Sequence, residues 1–162
     1  MKKTFLLTLT LALFCCSFAQ TYKLYDTKNY HNQLRLNTKT GEVLQIQDDG
    51  QTFVVNYSIT PFEEFENRYY LVPTRNYWTF ILVDSFTGKL WQTQFSVKSV
   101  DNMFSIPIND IELSTTKRSK FSVQPMTSMY QFYLINDDTG EMWKFQWTTK
   151  EEEGYRWIEK IY

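Results

Sequence analysis

Asn37-Thr38-Lys39-Thr40-Gly41, Asp84-Ser85-Phe86-Thr87-Gly88 and Asn136-Asp137-Asp138-Thr139-Gly140 are three copies of one turn, opened by an Asx residue and closed by Thr-Gly. An Asx side chain accepts backbone N–H groups two or three residues ahead. Glycine then supplies the left-handed conformation that ends a type I turn and restarts a strand through a bulge. β-branched and aromatic residues dominate both flanks of every copy, as strands prefer.

Working outward at offsets of 47 and then 52 residues, the same elements recur. A first strand reads Tyr22-Lys23-Leu24-Tyr25, Tyr69-Tyr70-Leu71-Val72 and Phe121-Ser122-Val123-Gln124. A polar link follows, opened by Pro73 and Pro125 in copies two and three. Second strands are expected over His31 to Leu36, Trp78 to Val83 and Tyr130 to Ile135. Third strands are expected over Val43 to Gln47, Leu90 to Phe95 and Met142 to Trp147. Phe53 to Tyr57, Met103 to Ile108 and Tyr155 to Ile161 close the copies as fourth strands. Helix signals are nearly absent; the acidic run from Pro61 to Glu66 has room for a single turn. A repeated unit sets an architecture before any residue is given a role. The expectation is an all-β chain of antiparallel meanders: one domain over residues 20–162, with repeats at about 20–66, 67–118 and 119–162.

The second strands carry two faces. Leu34/Leu36, Ile81/Val83 and Tyr133/Ile135 form one; Gln33/Arg35, Phe80/Leu82 and Phe132/Leu134 form the other. Copies two and three are thus apolar on both faces, as in strands covered from two sides. Copy one is apolar on one face, as terminal units of repeat arrays tend to be. Its third strand agrees: Leu44 stands where Trp91 and Trp143 stand, and Asp48 where Phe95 and Trp147 stand. Three copies of about four strands suit a pseudo-threefold propeller-like or prism-like array, in which the copies shelter one another's apolar surfaces around a common centre. A β-trefoil is the alternative. Three blades are fewer than a closed propeller normally uses.

The stretch Tyr69-x-Leu71-x-Pro73-Thr74-x-Asn76-x-Trp78-Thr79-Phe80, continued by Asp84-x-x-Thr87-Gly88-x-x-Trp91-Gln92-x-Gln94, resembles a repeat of small secreted and phage-associated bacterial proteins that carry no assigned activity. Copies one and three depart from it at Leu44 and at Met126. The hairpin alone is similar to the Asp-x-x-Thr-Gly hairpin of quinoprotein-type propeller blades, with the Trp one position early. These resemblances imply export and β architecture, and they transfer no functional residue.

Residues 1–19 read as an export signal: Lys2 and Lys3, an apolar stretch from Phe5 to Phe14, and Ser17-Phe18-Ala19 as the cleavage site. Cleavage there makes Gln20 the first mature residue. A lipoprotein acylated at Cys15 or Cys16 is the alternative, and bulky Phe14 ahead of Cys15 speaks against it. Both cysteines of the chain lie in this segment, so the exported form holds no thiol, disulfide or Cys-based metal site. Two of the 17 basic side chains lie in it as well, against 18 acidic ones outside it. That balance is no footprint for nucleic acid or anionic lipid. No other apolar stretch reaches the roughly 20 residues of a spanning helix.

His31 is the single histidine, so a Ser-His-Asp arrangement needs it and a zinc site needs carboxylates for its other ligands. Asp84 with Asp137 or Asp138 are the acids available to a glycosidase-type pair, although turn chemistry already accounts for an Asx there. Asn136-Asp137-Asp138 lacks the ligand spacing and closing Glu of a calcium loop. Gln47, Gln94 and Gln146 recur in every copy, either as a ring of amides for a sugar or peptide or as partners of neighbouring backbone. Aromatics gather at the link before the second strand. Tyr30, Tyr77, Trp78 and Tyr130, with Met129, Asn29, Arg75 and Asn76 beside them, are placed to stack on sugars or grip a partner; plugging the ends of the sheets is the structural role open to them.

The expectation is therefore an exported, non-catalytic binding or protein-interaction module of the bacterial envelope or secretome. Tyr77, Trp78, Arg75, Asn76, Tyr130 and Tyr30 are its candidate ligand residues, no cofactor or metal is expected, and an envelope protein or glycan is the partner. A carbohydrate-active hydrolase, and a structural envelope component that assembles through open strand edges, are the alternatives.

Overall fold

The computed structural model describes residues 20–60, 65–109, 111–114, 119–150 and 154–162. Residues 1–19, where an export signal is expected, residues 61–64 of the acidic run and residues 151–153 lie outside these.

Each copy is one four-stranded antiparallel meander. Copy one holds β1 Tyr22–Asp26, β2 Asn32–Asn37, β3 Val43–Gln47 and β4 Thr52–Asn56. Copy two holds β5 Tyr69–Pro73, β6 Thr79–Asp84, β7 Leu90–Gln94 and β8 Phe104–Asn109. Copy three holds β9 Phe121–Pro125, β10 Gln131–Asn136, β11 Met142–Gln146 and β12 Trp157–Lys160. The strand orders are β1-β2-β3-β4, β5-β6-β7-β8 and β12-β11-β10-β9, and the chain is all-β with a threefold-repeated sheet. No ladder joins two copies among the described residues, which sets the fold apart from a trefoil, where strands of different copies share one barrel. The second strands begin one residue later than expected, at Asn32, Thr79 and Gln131, because His31, Trp78 and Tyr130 belong to the links. Val100–Asn102 forms a single 3-10 turn that the sequence reading did not anticipate.

The three corners share one geometry. Gly41, Gly88 and Gly140 sit at φ +76°, +74° and +76°. Each glycine N–H donates to the carbonyl of its Asx residue, at 3.0, 2.9 and 2.8 Å. Each Asx N–H donates in turn to the residue after the glycine: Asn37 to Glu42, Asp84 to Lys89 and Asn136 to Glu141. A side chain at the glycine position would meet the left-handed penalty of about 1–2 kcal/mol.

Side-chain alternation then decides how the sheets stack. Leu34, Leu36 and Val43 on one face of the first sheet pack against Tyr69, Leu71, Phe80 and Leu82 of the second. Ile81, Val83 and Leu90, on the opposite face of the second sheet, pack against Phe121, Phe132, Leu134 and Trp143 of the third. The middle sheet is covered on both sides, and all six residues of β6 are buried. This corrects two expectations. The apolar surfaces are sheltered in two separate interiors, not around one centre, so the array is a blade-like stack. Only copy two is covered on both faces; Tyr133 and Ile135 of copy three stay half-buried on an outer face.

Hydrogen bonds repeat across both boundaries. The Tyr69 N–H donates to the Thr38 carbonyl at 2.9 Å, and the Phe121 N–H, one copy on, donates to the Ser85 carbonyl at 2.9 Å.

Candidate functional site

The links 26–31, 73–78 and 125–130 and the connections between third and fourth strands all lie at the end of the stack opposite the Thr-Gly corners. The aromatic and polar candidates of the sequence are gathered there, but they do different things. The Asn76 carboxamide oxygen accepts the Trp78 N–H at 2.8 Å and the Thr79 hydroxyl at 3.2 Å, so it caps the link locally. Lys28, Arg75 and Thr127 occupy one repeat position. Lys28 Nζ donates to the Arg75 carbonyl and Arg75 Nη1 donates to the Thr127 carbonyl, each at 2.6 Å, which ties the three links together. Arg75 is thereby a clasp between sheets.

Trp78 packs into the first interior with its ring 5.4 Å from that of Phe95. Tyr130 lies against Trp147 at 5.0 Å in the second. These two rings close the ends of the sheets. Tyr77, 43% exposed, stands edge-on to Trp78, and Tyr30, 82% exposed, leans on His31 at 3.8 Å. Of the aromatic candidates, Tyr30 and Tyr77 are the ones turned to solvent.

The repeated glutamines do not converge. Gln47, Gln94 and Gln146 lie on the same face of three successive sheets: Gln47 at the first boundary, Gln94 at the second and Gln146 on the outer face of sheet three. Gln94 Nε2 donates to the Asn102 carbonyl at 3.1 Å and Gln146 Nε2 to the Tyr155 carbonyl at 3.2 Å, holding the connection ahead of each fourth strand. Two other glutamines, two residues earlier, were missed. Gln45 and Gln92 are buried between sheets. Gln92 Nε2 donates to the Thr148 carbonyl at 2.8 Å and its Oε1 accepts the Thr148 N–H at 3.2 Å, a two-way bridge from sheet two to sheet three. Their position two residues after an apolar residue of a third strand, Val43 or Leu90 on the same face, was the available signal.

The acids are spread apart. Asp84 is buried, accepting Arg68 Nε at 3.0 Å and Nη2 at 2.8 Å, together with the Phe86 N–H and the Thr87 hydroxyl. Asp137 accepts the Ser122 hydroxyl at 2.7 Å and Asp138 accepts the Lys120 N–H at 3.1 Å, both at an exposed corner. Turn and ion-pair chemistry accounts for all three. His31 Nδ1 lies 2.6 Å from an Asp48 oxygen on the exposed link of copy one, away from the corners. Among the described residues no group of three or more His, Cys, Asp or Glu side chains is placed to hold a metal, and no helix is long and apolar enough to cross a membrane.

A cleft of 440 Å³ opens at this same end, between sheets two and three. One wall comes from Gln92, Gln94, Phe104 and Ile106 with Asp101 and Asn102 of the 3-10 turn; the other comes from Thr148, Thr149, Lys150 and Arg156. Lys150 Nζ donates to the Tyr155 hydroxyl at 3.0 Å and lies 4.2 Å from the centre of that ring. The sequence reading did not assemble these residues, because the two walls come from different copies. A shallower 340 Å³ depression lies at the first boundary, lined by Asn29, His31, Gln47, Asp48 and Val97 among others. No family model, no curated protein and no solved structure matches this chain.

Proposed function

We propose that the chain is an exported, non-catalytic binding module that takes a saccharide in the cleft between its second and third sheets. The observation that carries this reading is the make-up of the cleft. At 440 Å³ it falls within the size range of small-ligand sites, about 300–1,000 Å³. Its walls offer amides, hydroxyls, two cationic heads and the Phe104 ring, the mixture that hydrogen-bonds sugar hydroxyls and stacks on a pyranose face. The resemblance of copy two to repeats of small secreted proteins supports export.

Calorimetric titration with glycans chosen from an array tests it. Asn102→Ala with Arg156→Ala should weaken a bound oligosaccharide by at least tenfold, roughly 1.4 kcal/mol, and leave the unfolding midpoint in place. A glycan bound equally well by that double variant refutes the cleft as the site. Steady turnover of a bound oligosaccharide refutes the non-catalytic reading. A second reading rests on Tyr30 and Tyr77, which present aromatic surface at the link end as protein-contact anchors do. Envelope-protein capture lost in Tyr30→Ser with Tyr77→Ser, and untouched by the cleft variants, would favour it.

A further inference from the structure

Both boundaries inside this chain obey one rule. The face bearing Leu34/Leu36 covers the face bearing Phe80/Leu82, and the face bearing Ile81/Val83 covers the face bearing Phe132/Leu134. The leading face of each sheet thus lies on the trailing face of the next. Applying the rule at the two ends leaves one face of each kind over: the leading face of sheet three, with Tyr133, Ile135 and Met142, and the trailing face of sheet one, with Tyr22, Leu24 and Val54.

The trailing face sets solvated apolar groups among polar Asp26, Gln33 and Arg35. Leu24 is 60% exposed and stands in one row with Arg35, Leu44 and Val54. Beside them Tyr22, also exposed, lies under the Arg35 guanidinium at 5.0 Å.

The polar seams are left over in matching form. The donors Tyr69 N–H and Phe121 N–H reach the carbonyls of Thr38 and Ser85 across the two boundaries. At the ends of the chain the same repeat positions are the Tyr22 N–H and the Asp137 carbonyl, a donor on one outer face and an acceptor on the other. The Gln92–Thr148 bridge spans the second boundary alone; at the first, Gln45 Nε2 donates to Asn32 Oδ1 of its own sheet. The repeat positions of the bridge at the ends are Lys144, on the leading face of sheet three, and Asp49, exposed beside the trailing face of sheet one. A neutral amide bridge inside the chain is matched by opposite charges at its ends.

We infer that two copies of this chain join head to tail, leading face of sheet three on trailing face of sheet one, and close into a ring of six sheets. Unlike surfaces of this kind either close into rings or run on as filaments. A twofold ring uses both leftover faces of both copies and leaves none. Six sheets also fall within the four to eight of closed propellers, a number that three do not reach. The junction is made by sheet faces and not by strand edges, and it is independent of any ligand in the cleft.

Sedimentation equilibrium of residues 20–162 tests the inference. The expected mass is that of two chains. Leu24→Glu and Lys144→Glu should each raise the dissociation midpoint by roughly tenfold or more, with the far-UV spectrum and unfolding midpoint of the isolated chain preserved, since Leu24 is largely solvated in a single copy. Asp49→Lys added to Lys144→Glu should restore association. A single-chain mass at every concentration overturns the inference, as does a dimer indifferent to all these changes. Growth without limit as concentration rises overturns the closed ring.

Discussion

Replacing Asp84 by Ala should be far more damaging than replacing the Asx residues at the equivalent positions of the other two corners. All three side chains cap their turn in the same way. Asn37 Oδ1 accepts the Lys39 N–H at 3.0 Å, Asp84 Oδ1 the Phe86 N–H at 3.0 Å and Asn136 Oδ1 the Asp138 N–H at 3.1 Å. Losing one such neutral bond is worth about 1 kcal/mol. Asp84 carries more. Its carboxylate takes both arms of Arg68, and the side chains of the pair are only 2% and 14% exposed. Arg68 is sandwiched near the rings of Tyr69 and Phe86, at 5.2 and 5.7 Å from their centres, with little room to turn outward. Removing the carboxylate breaks a two-armed ion pair in a poorly solvated setting, a loss of about 3–5 kcal/mol. The excess over Asn136→Ala should then be roughly 2–4 kcal/mol, a large share of the 5–15 kcal/mol that holds a domain together. Urea unfolding followed by tryptophan fluorescence measures both. Asp84→Asn, which keeps the cap and drops the charge, should fall between them. Equal destabilisation by Asp84→Ala and Asn136→Ala would show that the ion pair adds nothing, and the reasoning would fail.

Two further outcomes follow from the coordinates. Gly88→Ala and Gly140→Ala meet the same left-handed backbone, at φ +74° and +76°, but a Cβ at Gly88 would sit 3.1 Å from the Phe121 ring while one at Gly140 meets open space. Chemical denaturation should show Gly140→Ala losing about 1–2 kcal/mol and Gly88→Ala a further 1–3 kcal/mol from overpacking; equal losses would contradict the close approach. Burial raises the phenols of Tyr70 and Tyr25, most strongly Tyr70, whose hydroxyl donates to the Phe121 carbonyl at 3.0 Å. The fold therefore favours their neutral forms, so stability should hold up to the unfolded phenol value of about 10 and decline as pH climbs from there toward the raised folded values. Tyr70→Phe should flatten that alkaline decline, read from thermal midpoints between pH 8 and 12, while lowering stability at neutral pH by about 1 kcal/mol for the lost bond.

The candidate site was less legible than the fold, for reasons visible in single residues. Tyr30 and Tyr77 are exposed as a link aromatic was expected to be, whereas Trp78 and Tyr130, in the same repeat position as each other, turn inward onto Phe95 and Trp147. Each partner ring comes from the same copy, just past its third strand, where copy one has Asp48 instead and leaves Tyr30 and His31 exposed. Arg75 looked like a ligand group and is a clasp, because its acceptor is a carbonyl 52 residues away. The cleft was invisible for the same reason: Gln92 and Thr148 meet across 56 residues of chain.

By itself the amino-acid sequence determined the repeating unit, its corners and its strands, because these rest on hydrogen bonds and side-chain alternation spanning a few residues. An Asx cap, a left-handed glycine and period-two patterning are complete within one hairpin, and copying the hairpin copies the strand order. Tertiary structure alone decided that the sheets stack as blades over two interiors, that Asp84 finds Arg68, and that a cleft forms where copies two and three meet. Those outcomes depend on which apolar face covers which. All three copies carry apolar residues on at least one face, so the choice rests with the packing of side chains that the chain brings together only after its hairpins have formed.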